Sequence, residues 1–191
     1  VSVGSTLRSE QMGQRGAILS IALDADAGRM VTGDAAGVVL VWKVQMPRGY
    51  VDATSFTAVR VLGAGGSQAS LSGCAVVGLC LHPTLERAAV LAHKNTLRIY
   101  ELRGAHRMIR ALDGARCERL RMPVAFSPDG QLLAAGGSDG TLTVWRLSDG
   151  VRVWSQSLGA GSAVTGLAWH PTQHLLAVCG FGADCPVTMW A

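Results

Sequence analysis

Short apolar runs separated by polar turns recur along this chain, and the clearest stretch is MPVAFSPDGQLLAAGGSDGTLTVWRLSDGVRVW, from Met122 to Trp154. Val124 to Phe126 is apolar and stops at Ser127-Pro128-Asp129-Gly130, where proline fixes φ and glycine accepts the positive φ that closes a turn. A second strand follows over Leu132 to Ala135. Asp139-Gly140 is then the dipeptide favoured in a two-residue hairpin, because both central residues of that turn need positive φ. Leu142 to Trp145 returns antiparallel. Ser148-Asp149-Gly150 makes another turn, and Val151 to Trp154 alternates as a fourth strand.

The unit repeats. A polar turn after the first strand falls at Asp24, His82, Ser127 and His170, and an aromatic residue closes the third strand at Trp42, Tyr100, Trp145 and Trp190. Turn and aromatic stand 18, 18, 18 and 20 residues apart, and successive aromatics 58, 45 and 45 apart. A period of about 40 to 45 residues with a tryptophan ending the third strand marks the four-stranded blade of a β-propeller. The longer interval is the period plus an inserted loop, for which Gln45 to Thr57, with Pro47 and Gly49, is the place. Five residues before each aromatic stand Gly37, Asn95, Gly140 and Cys185, the first three of which tolerate the left-handed conformation.

Read in order, the chain is all-β, with blades at residues 17–62, 75–113, 122–157 and 164–191. Residues 1–7 alternate weakly and are a candidate outer strand of a preceding blade. Residues 63–73, almost all Gly, Ser and Ala, read as a flexible connector. The last blade stops before a fourth strand. Four blades with an apolar face open at each end predict a larger propeller of about seven blades, the others supplied by the same polypeptide or an adjoining protein.

Composition agrees with a compact strand-and-turn protein: 191 residues, 49% hydrophobic, 16% charged and 24 glycines. The sequence has no apolar run long enough to span a membrane and no signal-peptide pattern. It opens at Val1 and reads as a fragment.

Candidate chemistry is sparse. Cys74, Cys80, Cys117, Cys179 and Cys185 include no Cys-x-x-Cys pair and read as small apolar residues, although Cys179 and Cys185 flank one hairpin. His82 and His170 precede prolines at equivalent turns and read as turn caps; His93, His106 and His174 fall in or beside hairpins and loops. No convergent acid, base, nucleophile or metal-ligand set emerges, so neither catalysis nor a metal nor a cofactor is expected. The Gly-rich stretches lack the lysine and the helix of a phosphate loop.

Charge is more informative. Arg103, Arg107, Arg110, Arg116, Arg119 and Arg121 face only Asp113 and Glu118, and their excess of +4 equals the net charge of the whole chain. One reading is a docking patch for an acidic surface such as a tubulin tail, an anionic lipid or a nucleic acid. The other is a solvated edge strand that its charges protect from pairing. The patch lacks the interleaved aromatics that nucleic-acid stacking uses, which disfavours a nucleic-acid partner.

The repeats resemble those of the WD-repeat family in VTGDAAGVVLVW (31–42), TLRIYELR (96–103), SPDGQLLAAGGSDGTLTVW (127–145) and HPTQHLLAVCGFG (170–182). Trp-Lys, Tyr-Glu, Trp-Arg and Trp-Ala stand where the family has Trp-Asp, so its hydrogen-bonded His, Ser/Thr, Asp and Trp set is incomplete. The order of segments, with the long insert after the first blade, is similar to the propeller of a ciliary transition-zone and basal-body member. That resemblance implies a non-catalytic scaffold for other proteins of a large ciliary or microtubule-associated assembly. It also implies a cytoplasmic location at a cilium, basal body or axoneme. The alternative is a propeller that binds nucleic acid or phosphate through the arginine cluster. Fold alone does not choose between them.

Overall fold

A computed structural model describes residues 15–24, 26–45, 55–62, 71–104, 106–118, 121–158, 163–181 and 187–191. Four antiparallel sheets are built from them, each a simple meander. The first holds β1 (Ile18–Asp24), β2 (Arg29–Asp34), β3 (Val39–Gln45) and β4 (Ser55–Leu62). The second holds β5 (Val76–Leu81), β6 (Arg87–Ala92), β7 (Thr96–Glu101) and β8 (Met108–Leu112). The third holds β9 (Val124–Phe126), β10 (Leu132–Gly136), β11 (Thr141–Arg146) and β12 (Arg152–Ser157). The fourth holds β13 (Val164–Trp169), β14 (Leu176–Gly180) and β15 (Thr188–Trp190). Residues 1–7, the candidate outer strand, lie outside the described residues, as does Cys185.

The sheets stand side by side as propeller blades. Their inner strands β1, β5, β9 and β13 are neighbours in that order and together line a cavity of about 350 Å³. The central strands β2 and β6 are buried almost throughout; β6, with a blade on either side, is apolar after Arg87, whereas β2 buries the polar Thr32 and Asp34 as well. The outer strand β12 (RVWSQS) has solvent along one edge and is mostly exposed.

Three of the core clusters lie between blades, while a smaller one, Met30, Leu40, Trp42 and Val44, is confined to the first blade. Val31, Val39, Val41 and Leu62 of the first blade pack on Ala88, Val90 and Tyr100 of the second. Ala89, Leu91, Leu97 and Ile99 then meet Leu133, Phe126 and Trp145 of the third. Ala134, Leu142 and Val144 meet Leu176, Leu167 and Trp190 of the fourth. Blades therefore hold one another up, because a sheet alone has no other element on which to bury its apolar face.

Equivalent irregularities recur at equivalent places. The β3–β4, β7–β8 and β11–β12 pairings slip just before Trp42, Tyr100 and Trp145, and the innermost pairings slip near Ser20, Gly78 and Gly166. A bulge bends its strand and sharpens the right-handed twist, so repeating it gives every blade the same shape. The hairpins also close alike. Ala35, His93 and Phe181 donate their N–H groups to the carbonyls of Ala17, Ala75 and Ala163, each at 2.9 Å. Gly37 has φ of 88°, and a Cβ there would lie 1.9 Å from the Leu71 carbonyl oxygen, so both conformation and space demand glycine.

Two segments differ from the sequence expectation. The insert is shorter than residues 45–57, since Gln45, Ser55, Phe56 and Thr57 continue the β3–β4 ladder. The connector ends as part of the core: Leu71 is buried against the first two blades, and Gly73 donates to the Ala36 carbonyl at 3.0 Å. A single leucine in a Gly/Ser run can reach a neighbouring core because the backbone beside it is unencumbered.

Candidate functional site

The aromatic set comes first because it fixes the surfaces left for docking. Trp42, Tyr100 and Trp145 are buried, and Trp190 is half-buried, its ring 5.0 Å from that of Trp154. Across each central strand they oppose Met30, Ala88, Leu133 and Leu176 in turn. Tyr100, Trp145 and Trp190 do so on the face that looks toward the preceding blade, and Trp42 packs with Met30, Leu40 and Val44 of its own blade. Their polar edges are satisfied differently. Trp42 Nε1 donates to Thr32 Oγ1 at 2.8 Å within its own blade, whereas Trp145 Nε1 donates to the Asp113 carbonyl at 2.9 Å from the second. Beside Trp42 the fully buried Asp34 caps its hairpin. Its Oδ2 accepts the N–H groups of Arg15 (2.8 Å) and Gly16 (3.1 Å), and its Oδ1 those of Ala36 (2.9 Å) and Val38 (2.7 Å). The sequence reading passed over this residue, although an aspartate three positions before a hairpin glycine is a turn signal.

The arginines are close in sequence and spread out in space. Arg103 lies in the β7–β8 turn beside Glu86 at 3.8 Å, and Arg107 pairs with Glu101 at 3.3 Å. Both side chains are largely in solvent, 85% and 72% exposed. Arg116 lies beside the β10–β11 hairpin, 3.9 Å from Asp139. Arg121 lines the axial cavity with φ of 61°. Arg119 lies outside the described residues. The reason for the dispersal is topological: after the outer strand β8 the chain must cross back to the axis to begin β9, and the charges are laid out along that path.

Arg110 differs from the rest. It is half-buried, and its guanidinium crosses to the third blade, donating to the carbonyls of Asp149 (2.5 Å) and Ser148 (3.1 Å) above Gly150. It therefore ties two blades together. Arg110→Ala should lower stability by about 1 kcal/mol, since a charge-assisted hydrogen bond at a partly exposed site is worth about that much. Arg107→Ala should change it by less than about 0.5 kcal/mol. Urea titration of the two variants measures both, and equal effects would remove the distinction.

The histidines at the turns act as caps. His82 Nδ1 accepts the N–H groups of Thr84 (3.2 Å) and Leu85 (3.0 Å), and His170 Nδ1 those of Thr172 (3.3 Å) and Gln173 (3.1 Å). Among the described residues no group of three or more His, Cys, Asp or Glu side chains is placed to hold a metal ion. Two of the thiols, Cys80 and Cys117, are held protonated. Burial pushes Cys80 far up, and burial followed by the Glu118 charge pushes Cys117 up to about 12, so neither supplies a thiolate nucleophile at neutral pH.

Surfaces remain at the two ends of the array. The positions one and three before the aromatic are Val41 and Val39, Ile99 and Leu97, and Val144 and Leu142, all buried by the next blade. Their counterparts in the fourth blade, Met189 and Val187, are 64% and 69% exposed. At the other end, Ile21 and Leu23 of β1 are exposed at 62% and 58%, while Met30, Leu40, Trp42 and Val44 on the same side of that blade are buried together. The molecule thus carries two blade-type faces with apolar residues in solvent.

A family model, the anaphase-promoting complex subunit 4 WD40 domain, matches residues 124–186, the third blade and most of the fourth. The third blade and most of the fourth are thus similar to a WD40 domain. The chain as a whole resembles part of jouberin. It is 28% identical to jouberin of Mus musculus over 176 residues and 29% identical to that of Rattus norvegicus over 177. Each alignment covers 90% of this chain and 16% of the jouberin, so the chain spans about a sixth of these relatives. A shorter WD-repeat match is to the small ribosomal subunit protein RACK1 of Glycine max, 45% identical over 53 residues, 28% of this chain and 16% of that protein.

Proposed function

We propose that this chain is the propeller part of a non-catalytic scaffold that docks other proteins in a ciliary, basal-body or other cytoskeletal assembly, working in the cytoplasm at a cilium, basal body or axoneme. The observation that carries the reading is the resemblance to jouberin, which runs through all four blades instead of stopping at the repeat motif. Propeller rims and faces suit this work because stacked blades leave broad, rigid surfaces on which side chains vary without cost to the core. Among the described residues no helix is long and apolar enough to cross a membrane.

Further blades complete the ring in this reading, supplied by the same polypeptide or an adjoining protein. The exposed Met189 and Val187, whose counterparts are buried in the other three blades, support it. Arg103, Arg107, Arg116 and Arg121 offer docking contacts at separate points of the rim and axis, Arg119 is kept as a candidate from the sequence, and Arg110 belongs to the fold. The phosphate-binding alternative is weaker, because the guanidinium groups of Arg103, Arg107 and Arg116 already have carboxylates beside them and that of Arg110 sits on two carbonyls.

Proximity labelling in ciliated cells with the full-length protein tests the proposal. Enrichment of basal-body or axonemal proteins is the expected result, and their absence would overturn the ciliary placement. Arg103→Ala combined with Arg107→Ala should weaken capture of those partners while leaving stability within about 0.5 kcal/mol. Tight binding of an oligonucleotide with a steep salt dependence would instead favour the alternative.

A further inference from the structure

Histidines from both neighbouring blades converge on one turn of the third blade, Ser127-Pro128-Asp129-Gly130. From the second blade, His82 is buried with its ring centroid 5.0 Å from that of Phe126. Since its Nδ1 accepts two backbone N–H groups, the ring proton resides on Nε2, which donates to the Gly130 carbonyl at 3.0 Å. The approach is close: a Cβ on Gly130 would lie 2.1 Å from the imidazole. From the fourth blade, His174 Nε2 lies 3.2 Å from Asp129 Oδ2. The other carboxylate oxygen of Asp129 accepts the Ser127 hydroxyl at 2.5 Å and the Gln131 N–H at 3.0 Å.

We infer that this turn is a proton-responsive joint between blades, which lets go of the second blade through His82 as the pH falls. The geometry of the His82 contact sets the sense of the response. A second proton on His82 has to enter at Nδ1, where it would point at the Thr84 and Leu85 N–H groups; the cap then breaks and the ring leaves its pocket.

The charged groups facing His82 are Arg87 from its own turn and Asp129 from the third blade. Burial is the largest influence and holds His82 below the ordinary value of 6.5, the Gly130 carbonyl and Asp129 pull the other way, and Arg87 adds to the lowering. Burial raises Asp129, but the Ser127 hydroxyl, the Gln131 N–H and His174 outweigh it, so its carboxyl stays below the usual range and ionised. The unfolded chain therefore takes up a proton before folded His82 does. The contribution of neutral His82 is complete above pH 6.5 and is lost as the pH falls below it.

Hydrogen exchange of the full chain at about pH 7.5 and about pH 5.5, corrected for intrinsic rates, tests the joint across the histidine range. Amides of the His82 turn and of the Ser127 turn should lose protection at the lower pH, by up to about tenfold per pH unit. His82→Asn keeps an acceptor for the two N–H groups and cannot titrate, so its protection should be the same at both values. Unchanged protection in the wild type, or a loss that persists in His82→Asn, would overturn the inference. If His82→Asn does not fold, NMR titration of the wild-type His82 ring decides: a titration below 6.5 accompanied by a shift of the Gly130 resonances supports the joint, and one without it sinks it.

Discussion

Trp145→Ala is expected to lower the free energy of unfolding by about 3 to 5 kcal/mol, the range for truncating a fully buried large aromatic. Trp145 is 1% exposed, and it packs at the junction of the second and third blades with Leu133 directly across the sheet. The cavity would open between two blades, where neither sheet can collapse into it without dragging its own ladder along. The indole also ties the blades by its 2.9 Å bond to the Asp113 carbonyl. Trp145→Phe separates the two effects: it keeps most of the apolar volume, leaves that carbonyl without its donor and should cost about 1 to 2 kcal/mol. Urea unfolding of both variants is the measurement. A loss well under 1 kcal/mol for the alanine variant would mean that the assigned register of the repeat is wrong.

Asp34→Ala should be nearly as damaging, at about 3 kcal/mol. The carboxylate is fully buried and serves four backbone N–H groups, two from the hairpin and two from the segment leading into β1. Leaving a buried donor unpaired costs about 1 to 3 kcal/mol, and the N–H groups of Ala36 and Val38 lie inside the tight turn. Arg15 and Gly16 can turn toward water, which holds the total down. Asp34→Asn retains one acceptor oxygen and should recover about half of the loss. Thermal unfolding reads the series, and an alanine variant as stable as the wild type would show that the hairpin does not depend on its cap.

Much of the fold was legible because the information is local. Gly140 and Ser127-Pro128-Asp129-Gly130 prescribe their own backbone angles, and apolar runs between such turns have room only for short strands. Asp139, however, does not take the positive φ expected of a two-residue hairpin, and the loop between Gly136 and Thr141 is longer than expected. The recurrence of Trp42, Tyr100, Trp145 and Trp190 at 18 to 20 residues after a polar turn carried the blade count, because a repeat places equivalent residues in equivalent surroundings. The long interval after Trp42 marked the insert, but not its ends, since Gln45 and Ser55 are polar residues that nevertheless extend a ladder.

The surface was less legible. Six arginines within nineteen residues look like one patch on paper, yet the chain there runs up an outer strand and back to the axis. Sequence separation equals spatial separation only while a segment keeps one direction. Arg110 reads like its neighbours, and nothing local says that the carbonyls of Ser148 and Asp149 wait across the blade boundary.

By itself, then, the sequence determined the repeating strand-turn unit, the number of blades it carries and the aromatic that closes each third strand, all of which follow from turn chemistry and period. Only the tertiary structure decided which side of each blade is covered, that Leu71 leaves its linker for a core, and that His82 and His174 meet on one turn. The physical reason is that most of the core here lies between two blades. Burial of a side chain is then set by the neighbouring sheet, whose residues stand some forty-five positions away, the spacing from Tyr100 to Trp145, and no local pattern encodes their approach.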